Sequence, residues 1–132
     1  MDLGLQGRHA VVTGASKGIG LACAKALVAE GCTVTLVSRD AGRLAEAQKQ
    51  VGSQAQVFAA DLSKAEDRQK LAAAVPAPDI LVNNAGAIPG GNILGLSMET
   101  WQEAWSLKVF GYIHLTQLYL PAMFARRSGC IV

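Results

Sequence analysis

The sequence predicts a doubly wound α/β domain, a parallel sheet with helices on both faces. Three observations predict it. Short β-branched or apolar runs alternate with helical stripes along the whole chain. The connections between them are short, as parallel crossovers allow. Glycines also cluster where the first strand gives way to the first helix.

Each element has its own signal. "HAVVTG" is a short apolar run closed by Gly, a strand. From Ile19 the positions Ile19, Ala22, Cys23, Ala26 and Leu27 form a helical stripe that Gly31 closes. "TVTLVS" is continuous and β-branched, a buried second strand. Asp40 stands as cap of a helix carrying Leu44, Ala47 and Val51. "AQVFAAD" is a third strand. Ser63, three residues before Glu66, reads as a capping box opening a helix that stops before Pro76 and Pro78. "DILVNNAG" is a fourth strand running into a turn, and a Gly-rich loop, 88–96, follows. Ser97 then caps one long helix reaching toward Phe124, with Trp101, Trp105, Lys108, Tyr112, Leu115 and Tyr119 recurring at helical spacing. "GCIV" at Gly129–Val132 begins a fifth strand with an apolar finish, so the domain, residues 1–132, is expected to be cut short after strand five.

Composition excludes several classes of function. Hydrophobic residues make up 51% and charged ones 17%. That is the balance of a chain with a real core rather than a disordered one. Twelve basic against ten acidic residues leave +2, and the basic ones are scattered, which argues against a nucleic-acid surface. No apolar run approaches a membrane span, and the N-terminus lacks the pattern of a secretory signal, so no membrane partner is expected and the cytoplasm is the expected location. Three cysteines, Cys23, Cys32 and Cys130, form no CxxC and read as small buried thiols of a reducing compartment. No metal-ligating cluster is expected.

The chemistry begins at "VVTGASKGIG". Gly14 permits a tight turn, Gly18 lets a ligand approach the backbone, and Gly20 lets the helix pack close to the sheet. The free N–H groups and positive end of that helix favour a pyrophosphate. A P-loop does not fit, because its Gly-Lys-Ser/Thr would fall at Ile19, and Gly-x-Gly-x-x-Gly is absent. A turn serving packing alone is the bland alternative.

At these residues the chain resembles the short-chain dehydrogenases/reductases. Thr13-Gly14-Ala15-Ser16-Lys17-Gly18-Ile19-Gly20 is similar to that family's TGxxxGxG cofactor loop, and Asn83-Asn84-Ala85-Gly86 to its NNAG motif after strand four. The resemblance covers Leu3 to Val132. It implies a Rossmann-like fold, with Asp61 and Leu62 bordering the adenine and Asn84, Ala85 and Gly86 lining the ribose and nicotinamide side. One of Asn83 and Asn84 is expected to bond the backbone of its own turn.

The end of strand two separates the two nicotinamide dinucleotides. A carboxylate there bonds the ribose hydroxyls and repels a 2′-phosphate, and a cation does the reverse. Ser38 occupies that position, Arg39 follows it, and Lys17 in the glycine loop approaches the same phosphate. The residues favour NADP(H). NAD(H) is the alternative, with Arg39 a solvated charge and Asp40 the ribose ligand.

The resemblance further implies hydride transfer between the nicotinamide and a small-molecule carbonyl or alcohol substrate. The family's Tyr acts as general acid/base, a Lys four residues later lowers its pKa, and a Ser orients the carbonyl. All three would lie beyond Val132, so no catalytic residue is assigned here. Tyr112 and Tyr119 do not substitute, being followed four residues later by Thr116 and Met123. The chain alone is therefore expected to be inactive, the dinucleotide-binding half of an enzyme. A non-catalytic dinucleotide-binding or interaction protein is the competing reading. Where the family has Asn seven residues after Trp, counting from Trp101 reaches Lys108, which either faces the site or extends to solvent. The aromatic stripe of the long helix reads as core or subunit interface, and the resemblance implies a homo-oligomer, dimer or tetramer, for the full-length protein. Nothing in the loop 88–96 specifies a substrate.

Overall fold

The computed structural model describes residues 1–132. Strands β1 (His9–Thr13), β2 (Thr33–Ser38), β3 (Ala55–Ala59), β4 (Ile80–Val82) and β5 (Cys130–Ile131) form one sheet in the order β3-β2-β1-β4-β5. Every pairing is parallel. The helices are α1 (Gly18–Ala29), α2 (Ala41–Val51), α3 (Ala65–Ala74), α4 (Met98–Trp105) and α5 (Gly111–Ala125). None is long and apolar enough to cross a membrane.

Alternation along β1 and β2 builds two cores, one on each face of the sheet. Ala10, Val12, Val34 and Leu36 pack with Ala24 of α1 and with Leu44 and Ala47 of α2. Val11, Val37 and Leu81 face the other way, onto Leu71 of α3 and Leu115, Tyr119 and Met123 of α5. The apolar runs are continuous because both faces are covered. The sheet grows from β1 toward β2 and β3, then turns back to β4 on the other side. That reversal opens a crevice at the carboxyl ends of β1 and β4, the place where this architecture holds ligands.

Local signals explain most boundaries. Asp40 caps α2 by accepting from the Arg43 N–H at 3.0 Å, and Ser97 caps α4 by accepting from the Thr100 N–H at 3.2 Å. Gly31, at φ +88°, ends α1 with its N–H on the Val28 carbonyl.

Three expectations are corrected. The Ser63–Glu66 capping box does not form. Lys64 is the residue before α3, and the Ser63 hydroxyl instead donates to Asp61 Oδ1 at 2.6 Å, a shorter local loop to close. Glu66 pairs with Lys70 at 3.0 Å. Secondly, the long helix is not continuous. A π-turn at Ser106–Phe110 separates α4 from α5, and the Ser106 hydroxyl donates to the Gln102 carbonyl at 2.8 Å beside it. The wider turn rotates one stretch against the other, so the aromatic stripe divides. Leu115 and Tyr119 are buried, whereas Trp105 is exposed. Thirdly, the cysteines differ among themselves. Cys32 is buried and Cys23 half-buried, but Cys130 is exposed on β5, an edge strand.

Candidate functional site

The turn after β1 and the turn after β4 meet in the crevice, and Thr13 joins them. This side chain is fully buried. Its hydroxyl donates to the Val82 carbonyl at 3.0 Å and accepts from the backbone N–H groups of Asn84 at 2.9 Å and Ala85 at 3.0 Å. In return, Asn84 Nδ2 donates to the carbonyls of Thr13 at 3.0 Å and Gly14 at 3.2 Å. The Asn84 amide thus bonds the glycine turn across the crevice, which corrects the expectation that an Asn of this pair bonds its own turn. Asn83 Oδ1 is buried without a partner.

The glycines follow from this closeness. A Cβ on Gly14, at φ +64°, would lie 2.9 Å from Ala85 Cα and 2.9 Å from Asn84 Nδ2. A Cβ on Gly20 would strike the Gly14 carbonyl oxygen and come within 2.6 Å of Asn84 Nδ2. Around Gly18, at φ +57°, there is open space instead. The first turn of α1 carries no acidic residue and has no side-chain cap, since Lys17 precedes it. Its N–H groups and the helix dipole therefore face a ligand space without protein competition.

That space is a cavity of about 400 Å³. Gly14, Ser16, Lys17, Gly18 and Ile19 line one side, and Ser38 and Arg39 the end of β2. Leu62 with Ala60 forms the wall after β3, and Asn84, Ala85 and Gly86 close the β4 side. Ser38 and Ser16 are linked hydroxyl to hydroxyl at 3.2 Å. Two of the expected residues stand apart. Gly20 lies behind the turn, where it serves packing. Asp61 lines an adjoining recess together with Arg39. Burial raises the Asp61 carboxyl, but the Ser63 hydroxyl and N–H outweigh it, helped by Lys64 and Arg39, so its pKa is lowered overall.

Sequence reasoning missed Arg43. It lines the cavity beside Arg39 and Asp40. The available signal was its place in the first turn of a helix capped by Asp40, just past the end of β2. Arg43 Nε lies 3.7 Å from the Asp40 carboxylate, whose pKa is held below the usual carboxylate range, chiefly by the Arg43 backbone N–H. Lys108 sits on the π-turn, and its side chain crosses Gly86. A Cβ there would meet Lys108 Cδ at 3.5 Å and Nζ at 4.0 Å. Lys108 therefore reaches the site side of the helix. Tyr119 is fully buried with an unpartnered hydroxyl, and burial pushes its pKa up, so it is a core residue.

A parallel sheet with a glycine turn and an asparagine turn interlocked at its switch point defines a Rossmann-like nucleotide-type fold. The chain belongs to the short chain dehydrogenase family, whose model matches residues 8–132. It is 36% identical over 132 residues to galactitol 2-dehydrogenase (L-tagatose-forming) of Cereibacter sphaeroides, an alignment covering 97% of this chain and 52% of that protein. L-sorbose reductase from Gluconobacter frateurii, complexed with NADPH and L-sorbose, superposes with a TM-score of 0.90 at 36% identity, covering 99% of this chain and 53% of the other. The 3-oxoacyl (acyl-carrier-protein) reductase of Agrobacterium tumefaciens, with NADP bound, superposes with a TM-score of 0.89 at 34% identity, covering 96% and 52%. The chain spans about half the length of the curated relatives it matches.

Proposed function

We propose that these residues form the dinucleotide-binding half of an NADP(H)-dependent oxidoreductase acting on a small carbonyl or alcohol substrate. The observation that carries the cofactor choice is the group of cations at the end of β2. Lys17, Arg39 and Arg43 line one cavity with Ser38, and no carboxylate occupies the Ser38 position. Asp40, the one acid beside them, is engaged as the cap of α2 and by Arg43. NADP(H) in the two solved relatives supports the same choice.

In this reading the dinucleotide, when bound, is the hydride carrier, giving it to a carbonyl or taking it from an alcohol, and these residues bind and orient it. The N-terminus of α1 faces the pyrophosphate, Gly18 allows its close approach, and Arg39 with Lys17 and Arg43 holds the 2′-phosphate. Leu62 and the Asp61 turn border the adenine, while Asn84, Ala85 and Gly86 form the nicotinamide-side wall. No acid/base set is assigned within residues 1–132. We infer that this stretch alone does not turn over. Exposed Trp105, Phe110 and Ile113 on the α4–α5 side support homo-oligomerisation of the full-length protein.

The test compares NADPH and NADH binding to the full-length protein and its Arg39→Ala variant. Loss of one charge-assisted contact should cut the preference for NADPH by on the order of tenfold. An unchanged preference would remove the case for the phosphate and return Asp40 and NAD(H) to first place. Steady NADPH consumption by residues 1–132 above a protein-free blank would overturn the assignment of chemistry to other residues.

A further inference from the structure

Near the cavity lies a buried cation without a counter-ion. Arg68, in the first turn of α3, is 6% exposed, yet it takes part in none of the ion pairs. Its partners are neutral. Nη1 donates to the Leu62 carbonyl at 2.7 Å, and Nε donates to Nδ1 of His114, on α5, at 2.9 Å. Because a guanidinium only donates, His114 Nδ1 accepts and the ring proton sits on Nε2. Burying a lone cation is unfavourable, and a neutral donor could serve the Leu62 carbonyl without that cost. Arg68 therefore calls for a role other than stability.

Its position supplies one. The Leu62 carbonyl that it holds belongs to the residue forming the cavity wall after β3. The same oxygen is approached by Gly111, the first residue of α5, where a Cβ would come within 3.1 Å of it. That Cβ would also lie 3.9 Å from Arg68 Nη1. The Leu62 carbonyl thus meets both a donor on α3 and a bare backbone on α5, with His114 tying the donor to α5.

We propose that Arg68 is a positioning residue that sets the Leu62 wall of the cavity, and with it affinity for the adenosine half of the dinucleotide. His114 and Gly111 complete the arrangement. This rests on the reading of the cavity as a dinucleotide site. Arg68 touches no cofactor itself, since it lies behind the wall rather than on it.

The decisive variant is Arg68→Met with His114→Leu, which removes the buried charge and its histidine acceptor and leaves the Leu62 carbonyl without its donor. Binding of adenosine 2′,5′-bisphosphate and of reduced nicotinamide mononucleotide is measured by calorimetry on the full-length protein, alongside thermal unfolding. The double variant should unfold somewhat below the wild-type temperature, because the Leu62 carbonyl is orphaned, and at a temperature where it is fully folded it should bind the adenosine probe about fivefold more weakly, the shift expected for one hydrogen bond's contribution. Its affinity for the mononucleotide should not move. Gly111→Ala, which keeps Arg68 and His114 but presses on the Leu62 carbonyl, should reproduce the adenosine-selective loss. Wild-type affinity of both variants for the adenosine probe would overturn the proposal, as would equal weakening of both probes. Absence of adenosine-probe binding to the wild type would overturn the dinucleotide reading itself, and this inference with it.

Discussion

Thr13→Val isolates the hydroxyl that joins the two turns. Valine has nearly the same shape and favours strands, so β1 itself should be undisturbed. Three hydrogen bonds are lost, but they are not equal. The Asn84 N–H also reaches the Val82 carbonyl at 3.1 Å, so each of these groups keeps a partner. The Ala85 N–H has only Thr13 Oγ1 among its hydrogen-bond partners. One orphaned donor costs about 1 to 3 kcal/mol, and the two weakened groups add roughly 0.5 kcal/mol between them. The expected destabilisation is about 1.5 to 3.5 kcal/mol by urea unfolding at constant m. Thr13→Ser keeps the hydroxyl and sacrifices a methyl, and should cost about 1 kcal/mol. If Val were no more destabilising than Ser, the hydroxyl would not be what locks the turns together.

The remaining predictions concern packing and pH. Gly20→Ala gains helix propensity of roughly 1 kcal/mol but drives a Cβ into the Gly14 backbone carbonyl, which takes the upper end of the overpacking cost, about 3 kcal/mol, so it should destabilise by about 2 kcal/mol net. Gly18→Ala meets only the strain of its positive φ of +57°. That strain costs about 1 kcal/mol, and thermal unfolding should rank the two in that order. His9 bridges the Thr33 and Thr35 hydroxyls at 2.7 and 2.9 Å; burial lowers its pKa below the usual 6.5, against an opposing pull from Asp79. The unfolded chain therefore takes up the proton first. Stability from this site should be full above about pH 6.5 and fall as pH drops through the lowered folded value. His9→Gln should flatten that part of a pH series of urea unfolding curves. The Asp79 carboxyl, held low first by the His9 backbone N–H and then by Arg126 and Arg8, should lose its contribution only at more acidic pH.

Much of the architecture was legible because local and global preferences agree. The β2 run "TVTLVS" is β-branched and buried, and the strand occupies those residues. Asp40 and Ser97 were readable as caps because a cap needs only a side-chain oxygen within three residues of its donor. Ser63 misled for the same reason. It had a nearer competitor in Asp61, and sequence spacing does not rank one local bond over another. The continuous helical pattern from Ser97 to Phe124 concealed the π-turn, since one widened turn barely alters a run of apolar residues.

The sequence by itself determined the alternating strands and helices, the glycine turn and the side on which its cations fall. These follow from backbone freedom, hydrophobic period and the charges of neighbouring residues. Only the tertiary structure decided that Thr13 and Asn84 interlock, that Arg43 joins Arg39 on the cavity, and that Lys108 crosses Gly86. It alone joined Arg68 to Leu62 and His114. Those contacts span 71 residues in one case and 46 in another. At such separations no local spacing constrains which groups meet, and only the packing of helices on a sheet brings them within hydrogen-bonding distance.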